Sequence, residues 1–196
     1  MICIRLFISA CVATLPLAAL ACDDAIAAVD VPHFIELHEN LLNEPSQGTA
    51  TAFLADFPRT FCVFNGLFGY SDEGAAALYE QDLFSSLPLL NSFADSTSLS
   101  AKYVAIAADA KWDVDNVNAL QAAYRDLFGS EKRIVIADIM ALPADEQMTA
   151  TRFFFDGFYP KQKFLAPNDR LAACEMDQSF CSLLDLVEQQ LVTESL

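Results

Sequence analysis

Few side chains in this sequence could do chemistry, and their spacing is poor for it. Only two histidines occur, His33 and His38. Standing five positions apart, they miss the i, i+4 spacing that sets two imidazoles on one helix face as metal ligands. No cysteine pair has the two- or four-residue spacing of a zinc knuckle, so no metal and no other cofactor is expected. Ser-His-Asp or Cys-His catalysis would have to recruit one of those two histidines, and no serine lies in a G-x-S-x-G turn. The glycine loops that cradle phosphates are missing as well. Asp113-Val114-Asp115-Asn116-Val117-Asn118 opens like a calcium loop. An EF-hand, however, needs Asp or Asn fifth, Gly sixth and Glu twelfth, where this chain has Val117, Asn118 and Tyr124. No catalytic residue is assigned, and the chain is expected not to be an enzyme.

Recognition chemistry remains. Trp112 is the only tryptophan and directly precedes Asp113, with Asp115 two positions on. An aromatic anchor beside carboxylates that can pair with Lys or Arg makes Trp112, Asp113 and Asp115 the expected partner-binding residues, since tryptophan is a frequent interface hot spot. The competing reading buries Trp112 and uses Asp113 as the N-cap of a helix. Further aromatics cluster as Phe61, Phe64 and Phe68 before Gly69-Tyr70, as Phe153-Phe154-Phe155 before Asp156-Gly157, and as Phe158-Tyr159-Pro160. Consecutive residues on a helix point about 100° apart. The three phenylalanines therefore belong either to a helix buried nearly all round, the favoured reading, or to one that offers a ring to a partner.

Charge narrows the choice of partner. With 27 acidic against 11 basic residues the formal charge is −16. Nucleic-acid binding depends on Lys and Arg neutralising phosphates and is excluded. The same field repels an anionic membrane surface and attracts a protein with a basic one.

The N-terminal residues read as an export signal. Arg5 is the only charge before Asp23, the run Leu6 to Leu20 is apolar, and Ala19-Leu20-Ala21 has the small-x-small form that signal peptidase cuts. Residues 1–21 are the expected signal peptide and 22–196 the mature domain. Losing Arg5 would leave a net charge of −17. Periplasmic or secreted localisation follows. A cysteine immediately after the cut raises the alternative of a lipoprotein tethered at Cys22, but Ala19 and Leu20 reverse the usual order before an acylated cysteine. Cys22, Cys62, Cys174 and Cys181 would remain, and in an oxidising compartment they read as disulfides. Cys174–Cys181 is the expected pair, with Cys22–Cys62 a possible second. Seven helical residues rise about 10 Å, beyond the roughly 7 Å reach of a disulfide, so a break at Asp177 is expected between the first two.

These residues must be carried by a row of helices. Asp30 caps the first, with Pro32 in its first turn and Phe34, Leu37 and Leu41 on one face. Helices are expected over 49–57 and 59–68, then over 75–93 with a break around Pro88, and over 99–108. Another follows Asp113 and ends at Gly129, with Val117, Leu120, Tyr124 and Leu127 inward. The next is capped by Ser130. One more runs from Pro143 through the three phenylalanines to about Gly157, and the last follows Asp177. Short connections and no alternating strand pattern give an all-α, disulfide-containing single domain, either a multi-helix bundle or a short helical solenoid.

Phe-Asn-Gly-Leu-Phe-Gly-Tyr over 64–70, Leu78-Tyr79, the Trp112 to Val117 segment and Phe153 to Gly157 together resemble small exported bacterial helical proteins of unknown function. Such proteins are similar to the periplasmic immunity proteins that neutralise wall-degrading toxins. The resemblance implies a non-catalytic exported binding or inhibitor protein and supplies no catalytic residue. The alternative is a structural or maintenance protein of the cell envelope.

Overall fold

The computed structural model describes residues 17–72 and 74–194, with side chains from Cys22 onward. The expected signal segment 1–21 lies outside the described residues up to position 16. Among the described residues the chain forms helices α1 (Leu17–Ala27), α2 (Val31–Asn43), α3 (Gln47–Asp56), α4 (Phe61–Phe68), α5 (Leu83–Phe93), α6 (Ser96–Ala107), α7 (Asn116–Met140), α8 (Ala144–Phe153), α9 (Pro160–Lys163), α10 (Pro167–Met176) and α11 (Gln178–Glu194). A two-residue hairpin, β1 (Tyr70–Ser71) and β2 (Gly74–Ala75), pairs antiparallel with Tyr70 opposite Ala75. The fold is all-α, and it is the bundle form: α7 runs through the middle and packs on α4, α5, α6, α8 and α10.

Side-chain caps set most helix starts. Asp30 Oδ1 accepts from the His33 amide at 3.1 Å. Ser46 and Thr49 form a reciprocal capping box on α3, and Asp177 Oδ1 accepts from the Phe180 amide at 2.9 Å. Each satisfies a backbone donor that the first turn leaves without a helical partner.

Several boundaries differ from the expectation, and α5 continues through Pro88 without a break. The helix expected from residue 75 begins only at Leu83, because Gly74 (φ +118°) closes the hairpin and Asp82 caps α5 through the Ser85 amide. Phe84, expected inward, is consequently 55% exposed. α7 is two helical runs that meet at a kink at Glu131 (φ −124°, ψ 38°), two residues past the break expected at Gly129, and Ser130 does not cap the second run. The Ser130 hydroxyl donates back to the Asp126 and Leu127 carbonyls. α8 ends at Phe153 rather than near Gly157. The following two phenylalanines are thus freed from helical 100° steps, and all three rings are buried. Helices α9 and α10 occupy a stretch to which no element was assigned.

Both cysteine pairs are disulfide-bonded. Cys174 and Cys181 bridge the α10–α11 corner with Cα atoms 4.7 Å apart, across the break at Asp177. Cys22 joins Cys62, pinning α1 to α4. Acylation of Cys22 and this bond exclude one another at a single sulfur. Disulfides fit an oxidising compartment. Among the described residues no helix is long and apolar enough to cross a membrane.

Candidate functional site

The loop between α6 and α7 carries all three expected binding residues, but it divides them between two sides. Asp113 does not cap α7. Its carboxylate accepts from the neighbouring Val114 amide at 2.7 Å, while Asp115 occupies the cap position without a capping bond. That is a correction: two residues further along the chain, Asp115 adopts φ +59°, a conformation side chains other than glycine rarely take. It is held there by the bond from the Tyr79 hydroxyl to its Oδ2 at 2.7 Å. Accepting that bond, and lying close in charge, Asp115 raises the Tyr79 pKa above its ordinary value.

Asn116 anchors the loop from beneath. Its buried amide donates to the Phe68 and Tyr79 carbonyls at 3.0 and 2.9 Å, so the start of α7 is tied to the end of α4 and to the turn before α5. The result is a cleft of about 370 Å³, walled by Tyr70, Tyr79, Asp113, Val114 and Asp115. Tyr70 stands edge-on to Tyr79 at 5.5 Å and is 63% exposed. Among the described residues neither Asp113 nor Asp115 is in an ion pair.

Trp112 turns the other way. Its half-buried ring stands edge-on to Phe158 at 4.9 Å, and the Lys163 ammonium lies 5.5 Å from its centre. Beneath sits Gly157, φ +135°, where an added Cβ would come within 2.8 Å of Lys163 Nζ and 3.2 Å of the indole. This glycine is needed both for its backbone angle and for the approach.

A polar frame fixes that side. The buried Gln121 amide donates to the Phe153 and Asp156 carbonyls at 2.5 and 2.9 Å. Lys163 in turn donates to Gln121 Oε1 at 2.5 Å and to the Asp156 carbonyl at 2.6 Å. Burial, reinforced by nearby Arg125, lowers the Lys163 pKa. Arg152 grips Glu194 with two guanidinium nitrogens at 2.9 and 2.6 Å and reaches Asp156 at 3.2 Å. On this frame Phe158 and Tyr159 are presented 75% and 69% exposed.

Of the expected residues, Asp113 and Asp115 share a cleft, and Trp112 supports an exposed ring rather than being one. Phe158, Tyr159 and Tyr70 were noticed in the sequence as aromatic clusters but not assigned to binding. Their signal was a bulky ring directly after a glycine, where the chain leaves a helix.

Among the described residues no nucleophile and histidine base come together. Both histidines lie on α2, with His33 3.5 Å from Asp56 and His38 buried against the Asp82 backbone. The Ser100 hydroxyl meets a carboxylate, Asp138, at 2.5 Å. Among the described residues no three His, Cys, Asp or Glu side chains converge as metal ligands. No family model, no curated protein and no solved structure matches this chain.

Proposed function

We propose that this is an exported, non-catalytic binding protein of the periplasm or the secreted medium, an inhibitor or immunity-type protein that holds a basic protein partner. The supporting observation is a line of contacts running from Tyr70 through Tyr79, Asp115 and the loop to Trp112 and Phe158. It combines exposed rings with carboxylates that have no cation of their own, on backbone fixed by buried amides. Large rings supply interface area at little entropic cost, and rim carboxylates select and steer a basic surface. A formal charge of −16 adds long-range attraction.

The test is affinity capture from the native host's culture, followed by binding kinetics with the captured protein. Phe158→Ala should weaken binding by about 2 kcal/mol or more, as expected of an exposed interface anchor. Asp113→Lys should slow association, and wild-type association should itself slow as salt rises through ~0.1 M. The thermal midpoint of either variant should stay near wild type. Equal capture by wild type and both variants, without salt dependence, would rule out both sides of the loop as the interface.

A further inference from the structure

A second recess lies away from that face, and its charge is opposite to that of the molecule. The groove between α3 and α6 encloses about 420 Å³, within the usual range of small-molecule sites. Leu54, Ala55, Ala101 and Ala105 form its apolar walls, and Arg59 and Lys102 are its only charged lining residues. The Lys102 ammonium donates to the Phe57 carbonyl at 2.5 Å and to the Ala55 carbonyl at 3.4 Å. A lysine has three such donors, so one remains. Neither Lys102 nor Arg59 is in an ion pair among the described residues. Of the nearby carboxylates, Asp95 accepts from both the amide and the hydroxyl of Ser98 at 2.8 Å, and Asp56 lies 3.5 Å from His33 without forming an ion pair with Lys102.

Burial, with Arg59 adding repulsion, pushes the Lys102 pKa down to about 8. The ammonium therefore stays charged at neutral pH, with the nearby Asp56 carboxylate only partly offsetting burial and Arg59. Polyanions are a poor match, because the rest of so acidic a chain repels them. A single anionic head with an apolar tail suits the lining better.

We propose that this groove binds a single-chain anionic amphiphile of the medium-chain carboxylate class, its head between Arg59 and Lys102 and its tail along Leu54, Ala55, Ala101 and Ala105. Charge-assisted hydrogen bonds hold the head, and burial of the tail against the small side chains supplies the rest. The proposal does not depend on the protein partner described above.

Amide-resolved NMR titration of the disulfide-bonded chain tests it, using decanoate, decanol and decyltrimethylammonium below their micellar concentrations. Decanoate should give saturable shifts centred on Ala55, Ala101 and Ala105, with decanol about tenfold weaker for want of the charged head. Arg59→Gln should bring decanoate down toward decanol. Ala101→Phe, which fills the groove from an exposed helix position, should abolish both responses with the thermal midpoint unchanged. Lys102→Met is the less secure variant, since Lys102 also bonds the end of α3; the other two keep the test decisive if it misfolds. Absence of saturable shifts, equal binding of decanol and decanoate, or preference for the ammonium amphiphile would overturn the proposal. Decanoate shifts that survive Ala101→Phe would do so too.

Discussion

The ring cluster around Phe34 and the segment around Gly157 are both closely packed, yet different forces hold them. In the first, Phe34, Phe53, Phe57, Phe64 and Phe68 from α2, the α3 region and α4 stack or meet edge-on at 4.9 to 6.5 Å. All are essentially inaccessible. This packing is nondirectional and tolerates small rotations. In the second, Gln121, Lys163 and Arg152 bind named carbonyls and carboxylates, which sets the path of the chain between α8 and α9. Hydrogen bonds of this kind add modest net stability but specify one geometry. The molecule thus uses rings for cohesion at one end and directional bonds to aim Phe158 at the other.

Cutting into each region should separate the two roles. Phe53→Ala removes a ring with three aromatic neighbours among the phenylalanines and His38, and should cost about 3–5 kcal/mol in urea unfolding while leaving partner binding intact in the folded fraction. Gln121→Leu takes the side-chain donor from the Phe153 carbonyl and removes one of the two acceptors of the Lys163 ammonium, which keeps the Asp156 carbonyl. It should cost about 1–3 kcal/mol, and hydrogen exchange should speed up over residues 154–163 but not in α2 to α4. Equal acceleration in both regions would mean that they are one cooperative unit rather than two differently built ones.

Within the ring cluster a pH effect is expected near neutrality. His38 packs against Phe53 at 5.6 Å, and burial lowers its pKa below the ordinary 6.5. Above pH 6.5 neither folded nor unfolded chain protonates this ring, and stability is full. As pH falls below that value the unfolded chain takes up a proton that the buried ring refuses, so stability declines until the folded ring itself titrates. Unfolding curves between pH 7.5 and 5.5 should show the decline, and His38→Phe should flatten it. The smallest effect is expected at the site: Asp113→Ala should change stability by less than about 0.5 kcal/mol, because it caps no helix.

Local signals carried much of the fold. Asp30 with Pro32 and Asp177 ahead of Phe180 act over three or four residues, so the starts of α2 and α11 could be read directly. The bend between Cys174 and Cys181 followed from bond geometry alone. What escaped depended on distant contacts. Gly129 marks the break in α7 only to within two residues: an internal glycine costs about 1 kcal/mol, the kink falls at Glu131, and Leu127, Phe128, Val135 and Ile136 are buried on either side of it. Asp113 and Asp115 compete for the same cap. Asp115 holds the position because the Tyr79 hydroxyl reaches it from 36 residues away and the next residue, Asn116, is tied to the Tyr79 carbonyl 37 residues away, separations no local pattern encodes. The cationic groove was likewise invisible, because Arg59, in the turn between α3 and α4, and Lys102, on α6, line one recess only in the folded chain.

The Cys22–Cys62 bond closes a covalent ring that contains all of α2 and α3. A protease that nicks the exposed turn at Glu44-Pro45 would cut the backbone without releasing a fragment. The two pieces would stay joined through sulfur, with the ring cluster still assembled around them. A fragment would leave this ring only after two events, a backbone cut and reduction of the Cys22–Cys62 bond.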